Sequence, residues 1–526
     1  MKNLGFIKQR ISSQFQFLKA AGLKLILSRE LFVRIILSVA FALVTFVATN
    51  EFASGLNGDA MFFLPQVVKY ANGHGLVNPQ YELTLSYSDA QDGRHIWHGF
   101  AYQLFLGNLF VPTTYQLLSI AMAVTNALAA FVTVMALGDA CQRLQNKSLR
   151  TFILLLAGST SVGFIIGLQG RPEIFFYLIV PLGYLLARNS SFWIQAIGGS
   201  AMVAIAVMTS PLSGFMLGLA LAILWSSRYT KATTFISQIS IGVLVMAAVI
   251  AGLFSLYPYT PNEWFQGILS HRGPIKDFAL IRQWRSYLIF SGRFFFGPIV
   301  LLGVISAFVL IWHNHGRRAL KIASSGISII LLFLSFYLSI YSGWYVLASL
   351  APVSVLCTLY LLGRIGNHSS RLKVAFLSCC VFVYAISALD PALKIVNEFT
   401  GCRGLSLSTA KNQLARVIGV SFSDVAFSKS LFVLSEQTTN VDILPHEEFN
   451  MGDEILSQRR WAVIQQVDTS FQAPPSYRNY RLVFNAFHPC RPAPGRLAQW
   501  FGPKGMGFAI YERIPGPLLQ PLSSGF

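Results

Sequence analysis

Long apolar stretches separated by short polar segments dominate the chain between residues 31 and 390. Most of them reach the roughly 17–20 residues that a helix needs to cross about 30 Å of hydrocarbon. The pattern therefore predicts a polytopic α-helical bundle of about eleven transmembrane helices. The predicted spans are residues 31–49, 113–138, 151–168, 174–187, 193–208, 211–225, 235–256, 295–312, 322–341, 344–362 and 373–389.

The pattern changes after residue 390, where short apolar runs with strand character alternate with polar and proline-rich segments. Strands are expected near residues 430–435, 461–467, 480–487 and 507–511. Residues 391–526 are therefore predicted to form a mixed α/β domain, long enough for one small core. Cys402 and Cys490 lie in this tail and could form a disulfide in an oxidising compartment, with two free thiols as the alternative.

Composition agrees with a membrane protein, since 54% of residues are hydrophobic, 12% are charged and the mean hydropathy is +0.55. Cations fall in residues 1–30, a predicted amphipathic interfacial segment, and then in every second loop. The positive-inside rule places these segments in the cytoplasm, and the loops 50–99 and 257–294 and the tail outside. The only acids of the predicted cytoplasmic segments are Glu30 and Asp139. The net charge of +19 therefore reflects topology and anionic lipid rather than nucleic acid.

Glycosylation-type triplets begin at Asn146, Asn189 and Asn367, all on the predicted inward side. This distribution fits a bacterial inner membrane with a periplasmic tail.

The first outer loop carries Asp59, just past the first span, in a chain with only 21 acidic residues. Residues 60–71 are expected to form an interfacial helix with Asp59 at its N-cap. From spacing alone, a helix cap and a general base are equally good roles for Asp59. The roles are compatible, because a capped carboxylate stays ionised and held in place.

Two further outer segments carry candidate chemistry. In Gly170-Arg171-Pro172-Glu173, the glycine and proline suit a helix break and restart, while Arg171 could bind phosphate and Glu173 could orient it or assist with an acceptor or a metal. The loop 257–294 is rich in cations on the side where they should be rare, which indicates binding of either a substrate phosphate or lipid headgroups. Its cations include His271, Arg272, Lys276, Arg282, Arg285 and Arg293.

Several functional classes lose support. His74, His95 and His98 share the first loop with Asp89 and Asp92 but lack a metal-ligand spacing, so no metal ligand is assigned, although a divalent ion stays open. No phosphate-binding P-loop or dinucleotide fingerprint occurs. Charges inside the predicted spans are almost missing, which disfavours pumps and proton-coupled transporters.

A family resemblance rests on the order of short motifs. The first span is followed by Gly58-Asp59-Ala60-Met61-Phe62-Phe63, then by His74-Gly75-Leu76, then by His98-Gly99-Phe100-Ala101-Tyr102. Gly170-Arg171-Pro172-Glu173 and the segment from Trp344 to Pro352 extend the order over residues 30–390. This arrangement resembles the GT-C glycosyltransferases, particularly the bacterial protein O-mannosyltransferases and lipid A aminoarabinose transferases. One departure is Trp344, which stands before Tyr345 where the family segment has a cation.

The resemblance implies a GT-C-like bundle that moves a sugar from a polyprenyl-phosphate carrier to a hydroxyl of a lipid, glycan or protein on the outer face, with inversion. Asp59 would then be the catalytic base, and Glu173 would be a second catalytic carboxylate. Donor-phosphate contacts would come from Arg171, His271, Arg272, Lys276 and Tyr345, and sugar or acceptor contacts from His74 and His98. No cofactor is implied.

Two alternatives remain open. One is an O-antigen ligase or polymerase type of enzyme with a lipid pyrophosphate donor, which would depend on His271 and Arg272. The other is a flippase or transporter of lipid-linked sugars.

Overall fold

Helices dominate the computed structural model, which describes a defined part of the chain. The described residues are 29–50, 60, 63–77, 94–96, 98–144, 146–188, 192–226, 232–270, 296–314, 326, 329–330, 334, 345–365, 371–399, 407–419, 424–428, 442–444, 459–466, 475–477, 480–485 and 507–514.

The helices follow the apolar stretches. They are α1 (Arg29–Thr49), α2 (Pro65–Ala71), α3 (Ala101–Phe110), α4 (Tyr115–Ala140), α5 (Lys147–Gly167), α6 (Phe176–Arg188), α7 (Phe192–Thr209), α8 (Pro211–Ser226), α9 (Ala232–Leu256), α10 (Pro261–Ser270), α11 (Phe296–Asn314), α12 (Tyr345–Ile365), α13 (Arg371–Phe399) and α14 (Leu407–Ile418), with 3-10 turns at Cys141–Arg143 and Pro172–Phe175.

Within the described residues, five helices are long and apolar enough to cross a membrane, and four shorter apolar helices accompany them. The five are Glu30–Thr49, Tyr115–Ala140, Lys147–Gly167, Ile239–Leu256 and Val346–Arg364. The chain is therefore a helical membrane protein, as predicted. The number of eleven spans stays a prediction, since the stretch 322–341 lies mostly outside the described residues.

The bundle has a central helix and lipid-facing helices. α12 packs against α4, α6, α8 and α11. Of the residues in its most apolar stretch, 83% are buried inside the protein. The corresponding share is 11% for α1 and 6% for the span of α9, whose exposed side chains include Ile36, Leu43 and Leu244. Apolar surface of this extent fits contact with lipid tails rather than water.

One end of the bundle, called the basic end here, gathers the start of α1 and the α4–α5 connection. Arg34 pairs with Asp139 at 3.5 Å, and Arg150 pairs with Glu30 at 2.8 Å. Tyr184 on α6 donates its hydroxyl to Asp139 at 3.1 Å. The two acids of the predicted cytoplasmic segments are thus both paired with cations that were predicted to lie on the same side.

The tail contains a six-stranded mixed sheet in the order β2-β1-β3-β6-β5-β4. Its strands are β1 (Val425–Ser428), β2 (Asp442–Leu444), β3 (Trp461–Gln466), β4 (Ser476–Tyr477), β5 (Tyr480–Asn485) and β6 (Gly507–Arg513). β1 is parallel to β2 and β3, and the other pairs are antiparallel. Strands predicted at 461–467, 480–487 and 507–511 are confirmed by β3, β5 and β6, while 430–435 lies outside the described residues.

Successive side chains of a strand point to opposite faces of the sheet, and apolar residues lie on both faces here. Val425, Val463 and Ile510 belong to one core cluster, which also contains Leu414 of α14. Ala462, Ala509 and Tyr511 lie among the residues of the opposite face. Cys402 and Cys490, the predicted disulfide, lie outside the described residues. α13 runs on to Phe399, so the boundary predicted near residue 390 falls within a helix.

Candidate functional site

The end of the bundle opposite the basic end, called the first-loop end here, brings three helix termini together. Ser119 near the start of α4 donates its hydroxyl to the Asn50 carbonyl, just after α1. Gln169, just after α5, donates its side-chain amide to the Thr49 carbonyl at 2.8 Å. These side chains occupy carbonyls that the end of a helix leaves without helical partners.

A tight turn between α5 and α6 directs two charged side chains into this end. Gly170 has a φ of +87°, a conformation that favours glycine. The Arg171 N–H then donates to the Leu168 carbonyl at 2.9 Å, and Pro172 begins the 3-10 turn that carries Glu173. The glycine and proline therefore end one helix and start the next, as their sequence spacing predicts.

Arg171 and Glu173 form a buried ion pair in this turn. Arg171 Nε lies 2.9 Å from Glu173 Oε2, and Nη2 lies 3.3 Å from Oε1. Their side chains are only 2% and 0% exposed. A charge buried this deeply depends on its partner, because desolvation would otherwise exclude it. Glu173 therefore holds the arginine in position and balances its charge.

Aromatic side chains of the first loop pack beside this pair. The Arg171 guanidinium lies over the Phe63 ring, 5.6 Å from its centroid. The Phe63 ring in turn meets the rings of His98 and His95 edge-on, at 5.0 and 6.3 Å between centroids. Phe63 thus separates a fixed cation from two imidazoles.

His95 is a neutral histidine held at both ring nitrogens. Its Nε2 lies 3.1 Å from the Gly99 carbonyl, which can only accept, so Nε2 carries the proton. Nδ1 then accepts from the Gln66 amide at 3.2 Å. Complete burial lowers the pKa of His95 from 6.5 to about 3. His95 is therefore a structural anchor rather than a proton carrier at neutral pH.

Three residues of the first loop, His95, His98 and Phe100, are held through their main chain. The Tyr257 hydroxyl donates to the His95 carbonyl, and Trp264 Nε1 donates to the His98 carbonyl at 2.9 Å. The Phe100 N–H donates to the Met208 carbonyl at 2.6 Å. These three hydrogen bonds, called the main-chain clasp here, fasten the first loop to α7, to the residue that follows α9 and to α10.

The start of the second long loop reinforces this contact. Thr260 and Glu263 form a reciprocal capping box at the start of α10, with Glu263 Oε2 accepting from the Thr260 N–H at 2.8 Å. These hydrogen bonds, together with Arg94, lower the pKa of Glu263. Arg94 Nη1 lies 2.7 Å from Glu263 Oε1. The first loop and the beginning of the second therefore meet at one place.

The structure gathers some of the predicted site residues and not others. Arg171, Glu173 and His98 lie together at the first-loop end. His74 is exposed on the turn after α2, and no side-chain hydrogen bond joins it to the others among the described residues. Tyr345 begins α12, whose N-terminal part contacts the turn that carries Glu173. The remaining predicted residues, Asp59, His271, Arg272 and Lys276, lie outside the described residues.

The helix predicted over residues 60–71 is confirmed only from residue 65 to residue 71, and its predicted cap, Asp59, lies outside the described residues. α2 begins only at Pro65, its N-cap is Leu64, and no side chain caps it. The Ala60 carbonyl accepts from the N–H groups of Phe63 and Leu64, which gives a separate turn ahead of the helix. Pro65 suits the first helical turn because it has no N–H to satisfy there.

Several residues of the site were missed by sequence reasoning, namely Phe63, Gln66, Arg94, Tyr257 and Trp264. The Thr260-Pro-Asn-Glu263 spacing is the one readable signal, since it has the pattern of a capping box. The aromatic and amide side chains carry no local signal of their distant partners.

Within the part of the chain that the structure describes, no group of three or more His, Cys, Asp or Glu side chains could hold a metal ion. No protein-family model matches the chain. A search of curated proteins likewise finds no match.

Proposed function

We propose that this protein is an inverting membrane glycosyltransferase that uses a polyprenyl-phosphate sugar as donor and a hydroxyl of a lipid, glycan or protein as acceptor. The observation that carries the proposal is the buried Arg171–Glu173 pair beside Phe63 at the first-loop end. Asp59 immediately precedes Ala60 in the sequence, and Ala60 is fully buried. A carboxylate and a fixed cation are the two groups that this transfer needs.

Arg171 has the chemistry to stabilise a departing lipid phosphate. A planar guanidinium can donate two parallel hydrogen bonds to phosphate oxygens. Because Glu173 holds it in place beforehand, no reorganisation is required as negative charge develops on the leaving group. Of the two roles that the sequence left open for Glu173, we therefore propose the orienting role rather than the catalytic one that the resemblance implies.

The proposed reaction is a single displacement. Asp59 accepts the proton of the acceptor hydroxyl as its oxygen bonds to the anomeric carbon. The bond between that carbon and the phosphate oxygen breaks on the opposite face, and polyprenyl phosphate leaves with the electron pair. His271, Arg272, Lys276 and Tyr345 are proposed to add phosphate contacts, and His98 and His74 to contact the sugar or acceptor.

The test compares the purified wild-type protein with Asp59→Asn on a panel of polyprenyl-phosphate sugars, with membrane lipid and glycan extract as acceptors. Release of free polyprenyl phosphate is measured. Loss of a general base should slow turnover by about 100-fold or more. Asp89→Asn, the same change elsewhere in the first loop, is the matched control and should keep wild-type turnover.

Other outcomes would redirect the assignment. Turnover only with lipid pyrophosphate donors, lost in His271→Ala and Arg272→Ala but not in Asp59→Asn, would indicate the ligase or polymerase type of enzyme. Lipid movement across vesicles without a covalent sugar product would indicate a transporter.

A further inference from the structure

Three buried polar side chains near the site have no hydrogen-bond partner in the described part of the chain. They are Tyr102 and Gln103 on α3 and Asn126 on α4, each 0% exposed. The unpartnered atoms are the Tyr102 hydroxyl and both amide atoms of Gln103 and of Asn126. Buried polar groups without partners destabilise a fold, so each such group in a native protein requires an explanation.

Tyr102 borders the turn that carries Glu173. Its ring lies 5.9 Å from the ring of Phe175, the last residue of that 3-10 turn. Phe105, one turn further along α3, packs on the same ring at 4.9 Å. This face of α3 is therefore directed at the segment that contains the buried ion pair.

The register of α2 on α3 brings Gln103 to about the same level as Gln66. Tyr70 contacts Gly107 and donates its hydroxyl to Asn108 at 3.2 Å. Two residues further on, the Asn72 amide donates to the Thr113 carbonyl at 3.0 Å. The two segments thus run in the same direction. Gln66 and Gln103, each one turn before the Tyr70–Gly107 contact, come to the same level.

Asn126 lies on the face of α4 that is turned toward α6 and the 3-10 turn before it. Thr133 Oγ1 donates to the Tyr177 carbonyl at 2.7 Å, which fixes α4 against α6. Asn126 precedes Thr133 by seven residues, so it lies on the same helix face, about 10 Å nearer the first-loop end. Glu173 lies in the same direction from Tyr177, and α4 also contacts the 3-10 turn.

We infer that Tyr102, Gln103 and Asn126 line an uncharged polar subsite for the sugar of the lipid-linked substrate. An amide and a phenol both donate and accept hydrogen bonds, which matches the hydroxyl groups of a sugar. The helices that carry these three neutral groups both contact the turn next to the fixed Arg171 guanidinium, which suits a ligand with several hydroxyls next to one phosphate. The identity of the ligand as a phosphate-linked sugar rests on the proposed function.

The experiment uses the full-length protein in detergent with Tyr102→Phe and Asn126→Leu. The probes are citronellyl phosphate and citronellyl phosphate carrying glucose, galactose or mannose. The first readout is the sugar preference, defined as the Kd for citronellyl phosphate divided by that for the tightest sugar-bearing lipid. The second readout is the Tm without ligand.

In both variants, the sugar preference should fall, whereas the Tm should stay the same or rise. Removing one hydrogen bond to the sugar should lower the sugar preference about tenfold in each variant. The Tm should equal or exceed that of the wild type, since a buried unpartnered group has been removed. Tyr177→Phe is the matched control, because the Tyr177 hydroxyl is buried but donates to the Ala348 carbonyl at 3.0 Å. It should lower the Tm and keep the sugar preference.

Any other pattern overturns the subsite. A wild type without sugar preference, variants that keep it, or a fall in Tm like that of Tyr177→Phe would each do so. Failure of the proposed function is a separate result: a protein that transfers no sugar but loses its preference in both variants keeps the subsite. Turnover with an unchanged preference keeps the enzyme and removes the subsite.

Discussion

Gln66 and His95 are joined by a side-chain hydrogen bond of 3.2 Å between residues 29 positions apart in the chain. The bond fastens α2 to the loop that carries His98. Because the other ring nitrogen faces the Gly99 carbonyl at 3.1 Å, His95 is held in its neutral form. The geometry of the first-loop end thus depends on the charge state of one imidazole.

Acid should therefore destabilise the protein through His95. Its pKa is lowered from 6.5 to about 3, so between these values the unfolded chain binds a proton that the folded protein does not. Stability falls as the pH drops through this window, by about 2 kcal/mol between pH 7 and pH 5. The measurement is Tm against pH in detergent.

The control separates His95 from other titrating groups. His95→Gln should show a flatter dependence of Tm on pH over the same window, whereas His74→Gln, at an exposed position, should keep the wild-type dependence. Equal slopes in all three proteins would contradict the assignment.

The Arg171–Glu173 pair should behave differently when one or both partners are removed. Glu173→Gln leaves a buried guanidinium without its counter-charge and should cost about 3–5 kcal/mol. The double variant Arg171→Met, Glu173→Leu removes both charges and should recover most of that loss. Thermal unfolding of the single and double variants measures the coupling.

Activity should not follow this recovery in stability. If Arg171 stabilises the leaving phosphate, the double variant stays inactive although it is stably folded. An active double variant would show that the pair is only structural.

Gly99 should resist replacement, because a Cβ there would lie 2.4 Å from the main-chain carbonyl of Thr209. That backbone cannot yield as a flexible side chain would, so Gly99→Ala should destabilise by about 1–3 kcal/mol. Gly198→Ala on α7, where no atom lies within 4 Å of the added carbon, should be neutral or slightly stabilising. The Tm values of both variants check this. Similar effects at both positions would argue against the docking of the first loop on α7.

The orientation predicted from the positive-inside rule can be tested with reporter fusions in a bacterial host. Alkaline phosphatase fused after Phe526 should be active, since the tail is expected in the periplasm. The same reporter inserted between Gln145 and Asn146 should be inactive. The reverse pattern would place the Arg171–Glu173 pair on the cytoplasmic side and remove the need for a lipid-carried sugar.

The helices and several strands could be predicted because their signals are local. Apolar stretches of sufficient length predict helices in lipid, as for α1 and α4. Alternation predicts strands, as for β3 and β6. The Gly170-Arg171-Pro172-Glu173 turn was also readable, because glycine and proline have distinct backbone requirements.

The rest of the site depends on contacts between distant residues. Tyr257 and Trp264 bind carbonyl groups more than 160 positions earlier, and no local pattern records which carbonyl they meet. The start of α2 was misplaced because residues 60–71 look amphipathic throughout. In the structure, a separate turn precedes Pro65, and the helix begins only there. Tyr102, Gln103 and Asn126 lie within apolar stretches, where only packing reveals that they lack partners.

The main-chain clasp recognises peptide groups rather than particular side chains. Exchanging the partly buried His98 side chain would leave the hydrogen bonds of the clasp in place, whereas His95, Gly99 and Phe100 are each constrained by their own packing. Evolution could therefore alter the side chain at position 98, and with it the ligand that is accepted, while the scaffold keeps its shape. One fold can acquire new ligand specificities in this way, because its main-chain hydrogen bonds stay the same while the side chains that contact the ligand change.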